Sequence, residues 1–263
     1  MRHSADSSRI TGRVALDESE SAPATRWQRL GAIAHGVERW LLPGECLLCR
    51  GAVPLGDDDA LVCGVCRSRW RSVRDPVCLR CGEPLDLEQP CRLCAGWPHG
   101  LVRVRSAVQL EGGARDVVHR LKYEGWWRVV EPMALRMKSL EPLTGGVSLI
   151  PIPLARKRER LRGYNQSERL ATALGRLLSL PVRTDLLRRT RETATQTALT
   201  PDERRANVSG AFAADNALGV RVVLVDDVFT TGATLLSAAQ ALCERGAERV
   251  EAVTFGRAAD CSL

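Results

Sequence analysis

The sequence predicts an α/β chain, a parallel sheet flanked by helices, preceded by a small cysteine-rich module. Three observations carry this reading. From about residue 101 onward, apolar runs that read as strands alternate with amphipathic runs that read as helices, the pattern of a parallel sheet with crossover connections. Eight of the ten cysteines stand in four Cys-x-x-Cys pairs between Cys46 and Cys94. The apolar run Val222–Val225 ends against two adjacent carboxylates, Asp226 and Asp227, and a loop rich in Thr and Gly follows.

Bulk composition sets the frame. A chain of 263 residues suits one ordinary domain plus a smaller one, and 44% apolar content is enough for a core. Aromatics make up only 4%, which leaves few stacking platforms for single-stranded nucleic acid. The net charge of +7, from 38 basic and 31 acidic residues, favours anionic partners without choosing between phosphates and nucleic acid. No stretch approaches the roughly 18 apolar residues needed to cross a bilayer, so no membrane insertion is expected. The N-terminal stretch has no apolar signal region, and a cytoplasmic location is expected.

The elements follow in chain order. Residues 1–25 are polar and rich in small residues, the composition of a disordered tail. Over residues 26–43, Leu30, Ile33, Ala34, Val37 and Leu41 fall at helical spacing before Pro43, which predicts a short amphipathic helix. Residues 44–98 lose all long apolar periodicity, so this segment cannot hold a core by itself. Metal is expected to stabilise it.

Two residues between cysteines let a tight turn offer two sulfurs to one ion, and four thiolates complete a closed, structural zinc site. Four pairs make two sites. Consecutive pairing puts Cys46, Cys49, Cys63 and Cys66 on one zinc and Cys78, Cys81, Cys91 and Cys94 on the other. Short gaps favour this double ribbon, while spacing alone also admits a crossed pairing, and disulfides are the alternative chemistry. Gly51, Gly64, Gly82 and Gly96 sit one or two residues past a paired cysteine, where positive φ closes a knuckle. His99 reads as a linker residue, Cys243 as a small core residue on a helix, and Cys261 has no assigned role.

Residues 99–263 carry the larger domain. VRVRSAVQL alternates as a strand, and ARDVVHRLKYEGWWRVVEPMALRMKSL reads as one or two helices with Val117, Val118 and Leu121 on one face. Val147–Leu154 is an apolar strand ended by prolines. The helix NQSERLATALGRLLSL points Leu170, Leu174, Leu177 and Leu178 inward. RVVLVDD, TLLSAAQALCERGA and RVEAVTFGR are the next strand, helix and strand. Trp126 and Trp127 are expected to pack rather than stack, and His119 is expected to face solvent on its helix.

Ligands of an open α/β sheet sit at the carboxyl ends of its strands, where Asp226 and Asp227 stand. Thr230, Thr231, Gly232, Ala233 and Thr234 then offer hydroxyls, backbone N–H groups and a helix N-terminus, an anion cradle. Vicinal hydroxyls of a ribose match the carboxylates, so a ribose 5-phosphate fits both halves. Five of the seven residues Arg156–Arg162 are basic and follow a strand. Arg158 and Arg162 suit a pyrophosphate clamp, Gly163 suits a close turn around an anion, and Asn165 and Gln166 suit donation. Arg191, Thr193, Thr195 and Gln196 lie in a polar segment that suits a closing loop, and Lys122 is a weaker candidate for the cleft.

VVLVDDVFTTGAT resembles the phosphoribosyl pyrophosphate (PRPP) signature of type I phosphoribosyltransferases. That resemblance implies the type I phosphoribosyltransferase fold, ribose hydroxyls held by Asp226 and Asp227 as catalytic residues, and the 5-phosphate held by Thr230–Thr234. IPIPLARKRERLRGYNQSERLA, the block from Thr190 to Phe212, HRLKYEG and the paired cysteines resemble the competence protein F (ComF) family. What that implies is PRPP with Mg²⁺ as ligand, displacement of pyrophosphate at the anomeric carbon, and a role in DNA uptake. A non-catalytic adaptor that binds single-stranded DNA or docks a helicase-like competence protein is the alternative. The acceptor and the oligomeric state are not implied. An amidophosphoribosyltransferase is not expected, because the paired cysteines are assigned to zinc and no glutaminase segment is recognised.

Overall fold

A computed structural model describes residues 44–53, 61–85, 91, 93–98, 100–141, 143, 145–192, 208 and 210–258. The tail and helix expected over residues 1–43 lie outside these, as do His99, Thr193, Thr195, Gln196 and Cys261. Strands β1 (Leu101–Gln109), β2 (Ser148–Pro151), β5 (Arg221–Phe229) and β6 (Arg249–Arg257) form one sheet in the order β1–β6–β5–β2. Every pairing in it is parallel. Strands β3 (Leu187–Arg189) and β4 (Phe212–Ala214) form a separate antiparallel ribbon. The helices are α1 (Gly64–Ser68), α2 (Gly112–Tyr123), α3 (Val130–Met137), α4 (Arg156–Arg162), α5 (Gln166–Leu178) and α6 (Ala233–Cys243). Among the described residues no helix is long and apolar enough to cross a membrane.

Central strands of a parallel sheet are covered on both faces and need apolar residues on both. β5 and β6 satisfy this: Val222, Val223, Leu224 and Val225 are buried, as are Val250, Ala252, Val253 and Phe255. β5 runs further than its apolar stretch suggests. It continues through Asp226 and Asp227 to Phe229, which pairs with Arg257 of β6. The strand expected to end at the carboxylates therefore ends two residues later, at Phe229, and the loop shrinks to Thr230–Gly232 before α6. β2 stops earlier, its last partner being Val225. The sheet thus opens between β2 and β5 at Asp226.

Helix α5 is built as its sequence dictates. Asn165 is its N-cap, its side-chain oxygen accepting the Ser167 N–H at 3.1 Å. Leu170, Ala171, Leu174 and Gly175 are buried, whereas Leu177 in the last turn is 46% exposed. The chain then folds back so that Leu149 donates to the Pro181 carbonyl. A Cβ at Gly175 would stand 2.6 Å from Val182 Cγ2 and 2.8 Å from the Leu180 carbonyl oxygen. Gly175→Ala should therefore destabilise by about 2 kcal/mol, overpacking outweighing the helix-propensity gain of about 1 kcal/mol. The urea midpoint reads this directly. A midpoint equal to or above the parent's would mean that the turn yields without cost.

Two cores lie on opposite faces of the sheet, and each incorporates one cysteine cluster. Cys46, Leu47, Cys63, Cys66 and Trp70 pack with Val117, Met133, Leu170 and Phe255. Cys78, Cys81, Cys94 and Trp97 pack with Phe212, Leu224, Phe229 and Leu235. The Trp70 ring meets Phe255 edge-on at 5.1 Å between centroids. The cysteine-rich segment thus shares the cores of the sheet.

Two local expectations are corrected. Of Gly51, Gly64, Gly82 and Gly96, only Gly82 takes positive φ (69°). In the first knuckle Arg50 occupies that region (φ 64°), and Gly64 instead opens α1 behind its N-cap Cys63. The basic run Arg156–Arg162 is helical, with no buried residue. Gly163, in left-handed conformation (φ 82°), terminates that helix by donating its N–H to the Glu159 carbonyl at 2.7 Å.

Candidate functional site

The opening between β2 and β5 is a cleft of about 760 Å³. Its floor is the C-terminal part of β5. Asp227 is 3% exposed, and its Oδ2 lies 2.6 Å from Lys122 Nζ of α2. Asp226 turns its Oδ1 toward α5, accepting the Ser167 hydroxyl at 2.7 Å and the Asp227 N–H at 2.9 Å. One ammonium therefore serves two adjacent carboxylates. Burial pushes Asp227 up, but Lys122 outweighs it and holds the group below the usual carboxylate range. Burial, and then the charge of Asp227, push Asp226 up to about 7. Burial pulls Lys122 down, and the Asp227 carboxylate more than reverses this.

One wall is the loop and the start of α6. Gly232 is the N-cap residue with φ 80°, and Thr230, Gly232, Ala233 and Thr234 line the cleft. No acidic residue occupies the first turn of α6, so its N-terminal N–H groups favour an anion. Thr231 is absent from the lining. It is buried, and its Oγ1 accepts the Ala233 N–H at 3.5 Å, a contact that shapes the turn from behind.

The opposite wall is basic. Arg158 and Arg162 of α4 line it together with Arg189 of β3. Arg162 donates to Gln166 Oε1 and lies 5.8 Å over the Tyr123 ring. Arg189 rests on the Phe212 ring at 5.2 Å. Burial first, and then the neighbouring charge of Arg158, pull Arg189 below its usual range. Guanidinium groups that repel each other along one wall are stabilised by an anion placed between them.

Of the residues expected here, Asp226, Asp227, Thr230, Gly232, Ala233, Thr234, Arg158, Arg162 and Gln166 share the cleft. Gly163 does not: it caps α4 and borders a smaller pocket. Asn165 is buried and spends its side chain on the α5 cap and on the Ile152 carbonyl at 3.0 Å. Three groups were missed or underrated. Lys122 forms the central ion pair, Ser167 orients Asp226, and Arg189 joins the basic wall. Only Ser167 had a local signal, its place in the first turn behind an Asn cap. Lys122 and Arg189 arrive through tertiary topology. His119 faces solvent beside Glu124 at 3.3 Å. Trp126 and Trp127 are 42% and 41% exposed rather than packed, and Trp127 carries the Arg169 guanidinium at 4.9 Å.

The eight paired cysteines gather in two sets. Cys46, Cys49, Cys63 and Cys66 hold their sulfurs within 4.8 Å of one another, and so do Cys78, Cys81, Cys91 and Cys94. This is the consecutive grouping. A tetrahedron with Zn–S of about 2.3 Å needs sulfurs about 3.8 Å apart. The contacts Cys49–Cys63 (3.8 Å), Cys78–Cys94 (3.6 Å) and Cys81–Cys91 (3.4 Å) fit that edge. They are far too long for disulfides, and none of these eight cysteines is disulfide-bonded. The Cys63 N–H also points at Cys46 Sγ at 3.4 Å, as expected where a sulfur carries negative charge. All-thiolate closed sites hold zinc as a cross-link and supply no chemistry to the cleft.

Comparison with known proteins agrees with both halves. Residues 37–95 match the double zinc ribbon domain, and residues 165–261 match the phosphoribosyl transferase domain. The chain is 34% identical over 220 residues to "DNA utilization protein YhgH" of Escherichia coli O157:H7, covering 80% of this chain and 95% of that one. It is 30% identical over 224 residues to "Competence protein ComFC" of Bacillus subtilis, covering 76% and 89%. It is 28% identical over 230 residues to "Competence protein F" of Haemophilus influenzae, covering 81% and 97%.

Proposed function

The chain belongs to the competence protein F family, a phosphoribosyltransferase-type fold with a double zinc ribbon, and from that premise we propose that it binds Mg²⁺–PRPP in the β2/β5 cleft in the service of DNA handling. The observation that carries the reading is the opposition of two features across one cavity. The carboxylates of Asp226 and Asp227 suit ribose hydroxyls and the substrate's hard cation. The N-terminus of α6, opened by Gly232, suits the 5-phosphate. Arg158, Arg162 and Arg189 then face the pyrophosphate.

In the transfer, a bond forms between the acceptor's nucleophilic atom and the anomeric carbon as the bond to pyrophosphate breaks. Pyrophosphate leaves with the electron pair. The protein's contribution is orientation and charge neutralisation at the reacting centre. Lys122 keeps Asp227 ionised and fixed, and Ser167 aims Asp226. A second reading has the same pocket regulating an adaptor. The exposed basic face of α4, beside the cleft, favours it for single-stranded DNA, and the name of one relative, "DNA utilization protein", favours a DNA-linked role. Binding to single strands that weakens steeply with salt is its signature.

Calorimetric titration of Mg²⁺–PRPP into the parent and into Asp226→Asn/Asp227→Asn tests the first reading. Saturable binding that the double variant loses by a factor of about 100 or more, the scale of two buried charged contacts, is expected. A folded, zinc-loaded parent that takes up no PRPP would sink it.

A further inference from the structure

We infer that Trp97 is a positioning residue for the loop Thr230–Thr234, so that the second zinc ribbon sets the geometry of the anion cradle. This rests on the reading of the cleft as a phosphate-binding site. Trp97 follows the last cysteine of the second cluster by three positions and is 6% exposed. Its indole lies against the backbone of Gly232. A Cβ there would be 2.7 Å from Trp97 Cζ2, 3.0 Å from Cη2 and 3.1 Å from Phe229 Cε2. The left-handed turn that starts α6 (φ 80°) is thus moulded on two aromatic rings. Those rings also meet each other, with centroids 6.1 Å apart.

Both rings are tied to the second cluster. Arg80, inside the Cys78–Cys81 knuckle, lies 5.8 Å over the Trp97 ring. Its guanidinium donates to the carbonyls of Cys94 (3.4 Å), Trp97 (3.2 Å) and Leu101 (3.3 Å), and to that of Pro98. Arg257 lies 4.4 Å over Phe229 and donates to the Cys81 carbonyl at 2.8 Å. It also pairs with Glu83. The second cluster therefore grips the β5 end from Trp97 and from Arg257. Among the described residues the first cluster makes no such contact: its tryptophan, Trp70, packs on Phe255 in the other core. Trp70 is a built-in control for a merely structural role.

The test uses the full, zinc-loaded chain and four variants: Trp97→Ala, Trp97→Leu, Trp97→Phe and Trp70→Ala. Two readouts are taken on each, Mg²⁺–PRPP affinity by calorimetry and hydrogen exchange of the amides of residues 230–234. Trp97→Ala or Trp97→Leu should weaken PRPP about tenfold and speed loop exchange by a similar factor. Trp97→Phe should restore most of both. Trp70→Ala should lower the urea midpoint yet leave affinity and loop exchange near the parent's. Parent-like affinity and exchange in a folded Trp97→Leu chain overturn the inference, and so does an equal effect of Trp70→Ala. If the parent itself binds no PRPP, the ligand reading fails while the exchange readout still decides whether Trp97 sets the loop.

Discussion

A Cys81→Ser chain is expected to carry one zinc ion where the parent carries two, and to lose about 4 kcal/mol or more of stability. Cys81 is fully buried in the core that holds Phe229 and Leu224. Without an ion, burial pushes its thiol well above the usual range, with neighbouring thiols adding to the effect. Only coordination to a cation makes a thiolate stable there. A serine hydroxyl does not replace it, and the remaining three sulfurs stand within contact distance of one another with nothing to neutralise them. Arg257 would also lose the fixed position of the Cys81 carbonyl that it donates to. Metal analysis and urea unfolding of the same sample read both effects. Two ions retained, or an unchanged midpoint, would rule out a structural zinc at this cluster. Cys243→Ser is the matched control. Cys243 is only partly buried, outside both clusters, and its replacement should cost about 1 kcal/mol.

Asp226→Asn should make the protein more stable at pH 8 while removing PRPP binding. In the folded chain Asp226 titrates near 7 against an ordinary value of 3.8. Between those values the folded state holds a proton that the unfolded chain has released, so stability falls as pH rises through the window. At about 1.4 kcal/mol per unit, the decline amounts to a few kcal/mol. Asp227 behaves oppositely. Its depressed value contributes stability that is present above 3.8 and lost as pH falls below it. The pair alone therefore favours a mildly acidic optimum. Asparagine keeps an oxygen for Ser167 and removes the charge that Lys122 does not neutralise, so the variant should gain about 2 kcal/mol at pH 8. The quantity to plot is the difference in unfolding free energy between the two chains from pH 5 to 8. In it the pH dependence of zinc binding, common to both, cancels. A flat difference would mean that Asp226 is not perturbed by its neighbours. A less stable variant at pH 8 would mean that the carboxylate holds the site together rather than straining it.

Much of this was legible in the chain. The short gaps favour the grouping of Cys46–Cys66 and Cys78–Cys94, and the sulfur positions decide it against the crossed pairing that spacing also admits. The strand Arg249–Arg257 is written in local pattern, whereas Asn165, read as a donor to an anion, caps α5 instead. The end of β5 was not legible, because what extends it past Val225 is the register with β6, a partner over twenty residues away. The helix over Arg156–Arg162 was hidden for a similar reason. Its seven residues bury nothing, so no apolar period announces it. Lys122 is one basic residue among 38 until α2 lays it against Asp227. Trp97, three residues past Cys94, carries no local signal of its role, and its contact with Gly232 appears only when the sheet brings residues 97 and 232 together.

The attachment of the cysteine clusters to β6 also fixes an order of events during synthesis. Phe255 and Arg257, which receive Trp70 and Cys81, are translated long after the ribbons. So is β6 itself, which must insert between β1 and β5 before the sheet exists. The ribbons can take up metal early, but each then waits with one side of its apolar surface uncovered until the last strand leaves the ribosome. A chain interrupted before Phe255 would release loaded ribbons whose docking surface is incomplete, and such fragments should be targets for proteolysis rather than miniature working domains.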